Sequence, residues 1–219
     1  MEEIGDANKS AYDATASEYS KRKDLMAQNN RKVIETYATF LDKRFPGRER
    51  KDMSILDIGV GSGLDLSIFH ELGYQTFGND MSEKMIEEAR KNSPESVFYC
   101  SDFTEYRFGR KFSGLYAQAF IHLFPKNLVH SLFEKMFTML EPEGLIHFST
   151  TIHDKPSEEF REKIDYETKV RRFRKWWTLE ELNGFLKEIP NIEVLHQYIV
   201  SDPLEKQWVN TIVGEKSLL

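Results

Sequence analysis

Between residues 55 and 66 the chain reads ILDIGVGSGLDL, an apolar run followed by three glycines in five positions. Glycine inside a strand or helix costs roughly 0.5–1 kcal/mol relative to alanine, so the cluster marks a junction between elements. A glycine-rich turn from strand to helix lets backbone N–H groups and the helix N-terminus come close to a polar ligand. Everything else in the chain is read around that turn.

The flanking sequence alternates. Segments 53–58, 74–79, 96–100, 112–118 and 144–151 read as short apolar strands. Segments 64–72, 82–92 and 127–140 read as helices, with Ser82 and Glu83 opening the second in the manner of an N-cap. Such alternation predicts an α/β fold whose parallel sheet is covered on both faces. Residues 8–45 read as two helices stopped by Pro46-Gly47, with Val33, Ile34, Tyr37, Phe40 and Leu41 at helical spacing. After a helix at 178–188, strands at 192–200 and 207–213 are joined by a link too short for a crossover, so they are expected as antiparallel neighbours. Residues 152–177 interrupt the alternation and read as an insertion.

Three ligand classes use a turn of this kind. A phosphate-cradling loop needs Lys-Ser/Thr after the last glycine, and Leu64-Asp65 stands there instead. The dinucleotide fingerprint G-x-G-x-x-G needs glycine at 64 or 66, and both are leucine. What remains is Asp57-x-Gly59-x-Gly61-x-Gly63, with an acidic residue two positions before the first glycine.

At these residues the sequence resembles the class I S-adenosylmethionine-dependent methyltransferases, whose first motif is D/E-x-G-x-G-x-G. Their ligand carries an ammonium and a sulfonium in place of a pyrophosphate, so a carboxylate at the strand end is useful. The resemblance implies a Rossmann-like, doubly wound, seven-stranded, mostly parallel sheet with an antiparallel last strand. One domain over 1–219 is expected, with an N-terminal helical cap at 1–47 and a substrate-side insertion at 152–177. Asp57, Gly59, Gly61 and Gly63 would cradle the methionine end of S-adenosyl-L-methionine. "TFGNDMSEKM" ends the second strand with Asp80, 17 residues after Gly63. By resemblance Asp80 takes the ribose hydroxyls, as the acidic residue of dinucleotide folds does, and Met81 and Met85 flank the adenine. "FYCSDFTEY" offers Asp102 and the Phe103 N–H to the adenine edge. "MLEPEGLIHFSTT" matches the family's L-x-P-G-G turn with glutamate for the first glycine. "AYDATASEYSKR" is similar to the Y-x-x-x-A-x-x-Y segment of small-molecule members, which makes Tyr12 a cofactor residue and Tyr19 a catalytic candidate. Tyrosines seven apart on a helix also suit plain packing. "WWTLEELNGFLKEI" resembles the helix that follows the fifth strand in the same members.

Methyl transfer from a sulfonium is an in-line displacement that requires no metal, and six histidines and one cysteine show no metal-ligand spacing. Alignment of the reactants is worth ~7–11 kcal/mol, whereas one general base contributes about 10²–10⁴-fold, so positioning should dominate. In "YAQAFIHLFPKN" the resemblance puts Gln118 and Ala119 at the methionine end and Phe120 and His122 toward the acceptor. His122 is the first base candidate, its alternative being packing beside Phe124-Pro125; His153 is the second, and His70 reads as structural. In the insertion, Arg171, Arg172, Arg174 and Lys175 stand among Phe173, Trp176 and Trp177. That stretch is either a cover suited to an anionic or aromatic acceptor, or a solvated helical face anchored by two tryptophans.

The expected activity is therefore methylation of a small molecule. Methylation of a tRNA or protein is the alternative, and an NAD-dependent oxidoreductase or nucleotide-binding module a remote one. "QAFIHLFP" lacks the N/D-P-P-Y/F/W motif of many members that methylate amides or nucleobases. A net charge of −6 argues against nucleic acid and anionic membranes as partners. MEEIGDANKS lacks the pattern of a signal peptide, and no apolar stretch approaches the ~20 residues that cross a bilayer. A cytoplasmic protein is expected.

Overall fold

The computed structural model describes residues 2–21, 23–163 and 167–216; the parts of the expected cap and insertion at 1, 22 and 164–166 lie outside these, as do 217–219. Two helices come first, α1 (Glu2–Lys21) and α2 (Lys23–Arg44). The alternating region follows as β1 (Ser54–Ile58), α3 (Leu64–Glu71), β2 (Gln75–Asp80), α4 (Glu83–Asn92), β3 (Val97–Cys100), β4 (Phe112–Ala117), α5 (Lys126–Met139) and β5 (Leu140–Thr151). A hairpin of β6 (Ser157–Lys163) and β7 (Val170–Trp176) precedes α6 (Leu179–Glu188), β8 (Ile192–Ser201) and β9 (Gln207–Glu215).

Seven strands form one sheet in the order β3-β2-β1-β4-β5-β9-β8. The first five are mutually parallel, and β9 runs antiparallel between β5 and β8. Strand order reverses between β1 and β4, and a crevice at such a switch point is where open α/β sheets hold ligands. All five residues of β1 and all six of β4 are buried, as expected of parallel strands covered on both faces. On one face α2 and α3 pack Ile34, Tyr37, Leu41 and Phe69 against the sheet; on the other, α5 and α6 bring Phe133, Met136, Leu182 and Phe185. Tyr37 spans that core, its hydroxyl 2.7 Å from Leu145 O and 3.1 Å from Leu115 O. No helix among the described residues is long and apolar enough to cross a membrane.

Local chemistry sets the helix starts. Ser82 caps α4 by accepting the Met85 N–H (3.1 Å), and Thr178 caps α6 by accepting that of Glu181 (3.0 Å). Glu143, which replaces a glycine of the L-x-P-G-G pattern, takes the left-handed torsion φ 68° and pairs with Arg44 at 2.9 Å.

The insertion is not a helical face. Its acidic strand SEEFREK and basic strand VRRFRKW pair so that Glu158 meets Lys175, Glu159 meets Arg174 and Glu162 meets Arg171. Opposite charges across antiparallel neighbours stabilise the pairing. Of the two tryptophans, Trp177 is fully buried in the core. Trp176 is half-buried instead, between the Arg161 guanidinium (3.7 Å) and the His153 ring (4.3 Å).

Candidate active site

A cavity of about 790 Å³ opens at the carboxyl ends of β1 to β4, under α1. The glycine turn forms one side of it. Gly59 and Gly61 line the cavity with φ of 71° and 53°, torsions that suit glycine. A methyl at Gly59 would stand 2.7 Å from the Phe120 ring, and one at Gly61 would stand 3.3 Å from that of Tyr19. Gly63 does other work: it takes φ 77° at the N-cap of α3, where an added Cβ would meet the Ala89 Cα at 2.9 Å. Its place in the motif serves close packing of α3 on α4, not the cavity.

The turn spends its amides on the protein. Gly59 and Val60 N–H both donate to Asn79 O (2.8 and 2.9 Å), Gly61 N–H to Asp80 Oδ2 (3.0 Å) and Gly63 N–H to Val60 O (3.0 Å). The expectation that these N–H groups face a ligand is corrected by those bonds. A pyrophosphate would need them free, whereas a ligand bound through carboxylates does not.

Carboxylates are what the strand ends supply. Asp57, only 3% exposed, has no hydrogen-bond donor among the described residues. Burial, then the Asp65 and Asp80 charges, push its carboxyl well above the usual range. Asp80 lines the cavity and accepts from Gly61 N–H and, at 2.9 Å, from Ser82 N–H; burial outweighs these bonds and raises its carboxyl to about 6. Asp102 also lines the cavity, its Oδ1 held by Thr104 N–H (2.7 Å) and Oγ1 (2.8 Å). Met81, Phe103 and Gln118 line it as well, whereas Met85 is buried in the core beneath α4.

Helix α1 covers the cavity with Ile4, Gly5, Asn8, Lys9, Tyr12 and Tyr19. It is tied down at several points. Asn8 donates to Leu123 O (3.1 Å) and accepts from Phe173 N–H (2.9 Å), Tyr12 Oη accepts from Arg172, and Asp13 accepts from Ser82 Oγ. Below it, Phe120, Leu123, Phe124, Pro125 and Leu128 make an apolar end, and Ala119 enters it with a left-handed φ of 57°. A non-glycine residue held there stores strain of order 1–3 kcal/mol.

Neither histidine candidate lines the cavity. His122 is 2% exposed, its Nδ1 3.3 Å from Thr150 Oγ1 and its ring 6.1 Å from that of Trp208. His153 stacks on Trp176 and bonds Thr151 Oγ1 at 3.0 Å; burial, then Arg174 and Arg161, push its imidazole down to about 4. Arg171, Arg172, Arg174 and Lys175 also lie off the wall. The sequence reading missed Asn79, which lines the cavity while its Nδ2 holds Tyr99 O (3.1 Å) and Ser101 O (2.9 Å). Its place next to Asp80 at the end of β2 was its only signal.

Known proteins match both the sequence and the shape. Residues 55–144 match the family described as "Methyltransferase domain". A dTDP-3-amino-3,4,6-trideoxy-alpha-D-glucopyranose N,N-dimethyltransferase of Streptomyces venezuelae is 37% identical over 62 residues, which span 28% of this chain and 26% of that relative. Among solved structures, DhpI in complex with SAH superposes with a TM-score of 0.70 at 16% identity, covering 98% of both chains. DesVI of Streptomyces venezuelae gives 0.65 at 16% identity, covering 88% of this chain and 95% of that one. The 1,6-didemethyltoxoflavin-N1-methyltransferase of Burkholderia thailandensis, with S-adenosylhomocysteine and 1,6-didemethyltoxoflavin bound, gives 0.64 at 16% identity, covering 93% and 88%. At such identities the likeness concerns the fold, a mostly parallel α/β sheet with the same overall course. Residues 55–144, which include the motif run at Asp57–Gly63, are thus similar to a methyltransferase domain, on a fold shared with solved methyltransferase structures.

Proposed function

We propose that the protein uses S-adenosyl-L-methionine to methylate a small, largely apolar molecule. The observation that carries this reading is the glycine turn itself: Gly59, Val60, Gly61 and Gly63 have their amides committed to protein oxygens, while buried Asp57 has no donor. A buried carboxylate without a partner costs several kcal/mol, which a cationic ligand relieves and a phosphate aggravates. The residues therefore fit the donor. Gln118 would face its amino-acid end, with Asp57 buried behind the wall; Asp80 would face its ribose, and Asp102, Phe103 and Met81 its adenine. When bound, the donor supplies an electrophilic methyl on a sulfonium, transferred in line to an acceptor lone pair.

The acceptor end is apolar, and the ionisable groups on the whole wall are acidic except for Lys9 and the two tyrosines. An aromatic or neutral acceptor suits it better than the anionic one suggested by the basic run, whose side chains lie on the hairpin. Helix α1 closes over the cavity, which favours a small acceptor over a tRNA or protein. His122 and His153 serve the fold of the β4 and β5 ends, and Tyr19, beside Gly61, is the candidate left to touch the acceptor. Positioning by the apolar wall then carries the rate, in line with the ~7–11 kcal/mol available from alignment. Titration calorimetry tests the reading: S-adenosylhomocysteine should bind in the micromolar range and NADH should not. Binding of NADH instead would overturn it.

A further inference from the structure

Arg172 of β7 is only 7% exposed, yet among the described residues it forms no ion pair. Across the hairpin register it meets another cation, Arg161. Its Nη1 donates to Tyr12 Oη of α1, and its guanidinium carbon lies 5.3 Å from the centre of the Tyr12 ring. The neighbouring Phe173 N–H donates to Asn8 Oδ1, one turn earlier on α1, at 2.9 Å. Helix and hairpin are thus fixed to each other at two points. Arg172 stands behind the cavity wall, and Tyr12 is on it.

A guanidinium has donors and no acceptor, whereas a phenol has one proton to give and lone pairs to accept with. Tyr12 Oη therefore accepts from Arg172, and its own proton goes elsewhere. No acceptor among the described residues takes that proton, and the cavity is beside it. Unspent donors matter on this wall. Glu2, Asp6, Asp80, Asp102 and Glu105 make it acidic, and its one ammonium, Lys9, pairs with Asp13 at 2.9 Å. The amides of Gly59 and Gly61 are committed to protein oxygens. Gln118 keeps its NH₂ free of Tyr116, whose hydroxyl donates to Gln118 Oε1 at 3.4 Å.

The amino-acid end of the methyl donor carries a carboxylate as well as an ammonium. An acidic wall suits the second and repels the first, so the carboxylate needs hydrogen-bond donors backed by positive charge. Resting on the methyltransferase reading, we propose that Arg172 is a positioning residue for the donor's carboxylate. By occupying a lone pair of Tyr12 Oη it turns the Tyr12 proton into the cavity, and its uncompensated charge stands behind that hydrogen bond. Tyr12 touches the ligand and Arg172 does not.

Two probes separate this role from simple support of the fold. S-Adenosylhomocysteine carries both groups, and its decarboxylated form, the aminopropyl thioether, keeps the adenosine, the sulfur and the ammonium. In calorimetry on the full chain, Tyr12→Phe and Arg172→Met should each weaken S-adenosylhomocysteine about tenfold, the scale of one lost charge-assisted bond. Both should leave the decarboxylated probe unchanged. Added to Tyr12→Phe, Arg172→Met should cost nothing more, because the arginine acts through the tyrosine. Equal weakening of both probes would make the pair a structural tie between hairpin and helix and overturn the proposal, as would unchanged binding of S-adenosylhomocysteine. If Arg172→Met fails to fold, Tyr12→Phe decides alone. Failure of the unmodified protein to bind either probe would sink the methyltransferase reading itself, a result distinct from the others.

Discussion

The strand ends and the β6–β7 hairpin are both dense in charge, and the fold uses the two in opposite ways. At the strand ends, Asp57, Asp80 and Asp102 stand at the ends of three successive strands, and among the described residues none of the three forms an ion pair. In the hairpin, three of the four charges of the basic strand have an acidic counterpart across the register or nearby: Glu158 and Glu181 for Lys175, Glu159 for Arg174, Glu162 for Arg171; the fourth, Arg172, faces Arg161 and bonds Tyr12 Oη instead. Charge that the protein neutralises within itself builds structure. Charge that it buries and leaves uncompensated asks for a ligand of opposite sign.

Substitution on each side should separate affinity from stability. The largest effect is expected at Asp80→Ala, which removes the proposed ribose acceptor and the acceptor of the Gly61 and Ser82 N–H groups. Charge-assisted bonds are worth about 1.5–3 kcal/mol each, so affinity for S-adenosylhomocysteine in calorimetry should fall on the order of 100-fold. An unchanged affinity would take Asp80 out of the site.

Next in size is Lys175→Ala. Its side chain is 3% exposed and bonds Glu181 at 2.6 Å, while Lys126 stands 3.5 Å from the other Glu181 oxygen as partial compensation. Breaking a fully buried pair costs 3–5 kcal/mol; here about 2 kcal/mol should be lost in urea denaturation, with S-adenosylhomocysteine affinity intact. Loss of affinity without loss of stability would return the hairpin to the site. Arg171→Ala, on the exposed side, should change stability by under about 0.5 kcal/mol.

The third expectation concerns pH. Burial raises Asp80 to about 6 in the ligand-free protein, and the ribose hydroxyls bind its ionised form best. Above pH 6 affinity should therefore be flat. Below it the free protein holds a proton that binding must expel, so affinity should fall by up to about tenfold per unit. Calorimetry from pH 5 to 8 measures this, and Asp80→Asn should flatten the profile. A flat profile in the unmodified protein would show that Asp80 stays ionised or lies off the ligand.

Much of this was legible in the chain. Strand–helix alternation with Gly59 and Gly61 at the first turn was enough to place the sheet and its crevice, because periodicity and left-handed torsions are local properties. Asp80 and Asp102 followed from counting strand ends. Gly63 was legible as a necessary glycine but not as a packing residue, since the Ala89 backbone that forbids a side chain there comes from another helix. His122 and His153 read as bases for a similar reason: a sequence shows that a titratable ring is near the site, not which way it turns or whether it is buried.

The hairpin shows where such reading stops. SEEFREK and VRRFRKW carry complementary charge, but only register, a pairing of residues 17 and 15 apart, brings Glu158 to Lys175 and Glu159 to Arg174. The sequence by itself determined the α/β class, the glycine turn and the acidic strand ends, each a matter of neighbours along the chain. Tertiary structure alone decided which charges are cancelled and which stay uncompensated beside the cavity, because desolvation and Coulomb energies depend on distances between segments that the chain does not write down.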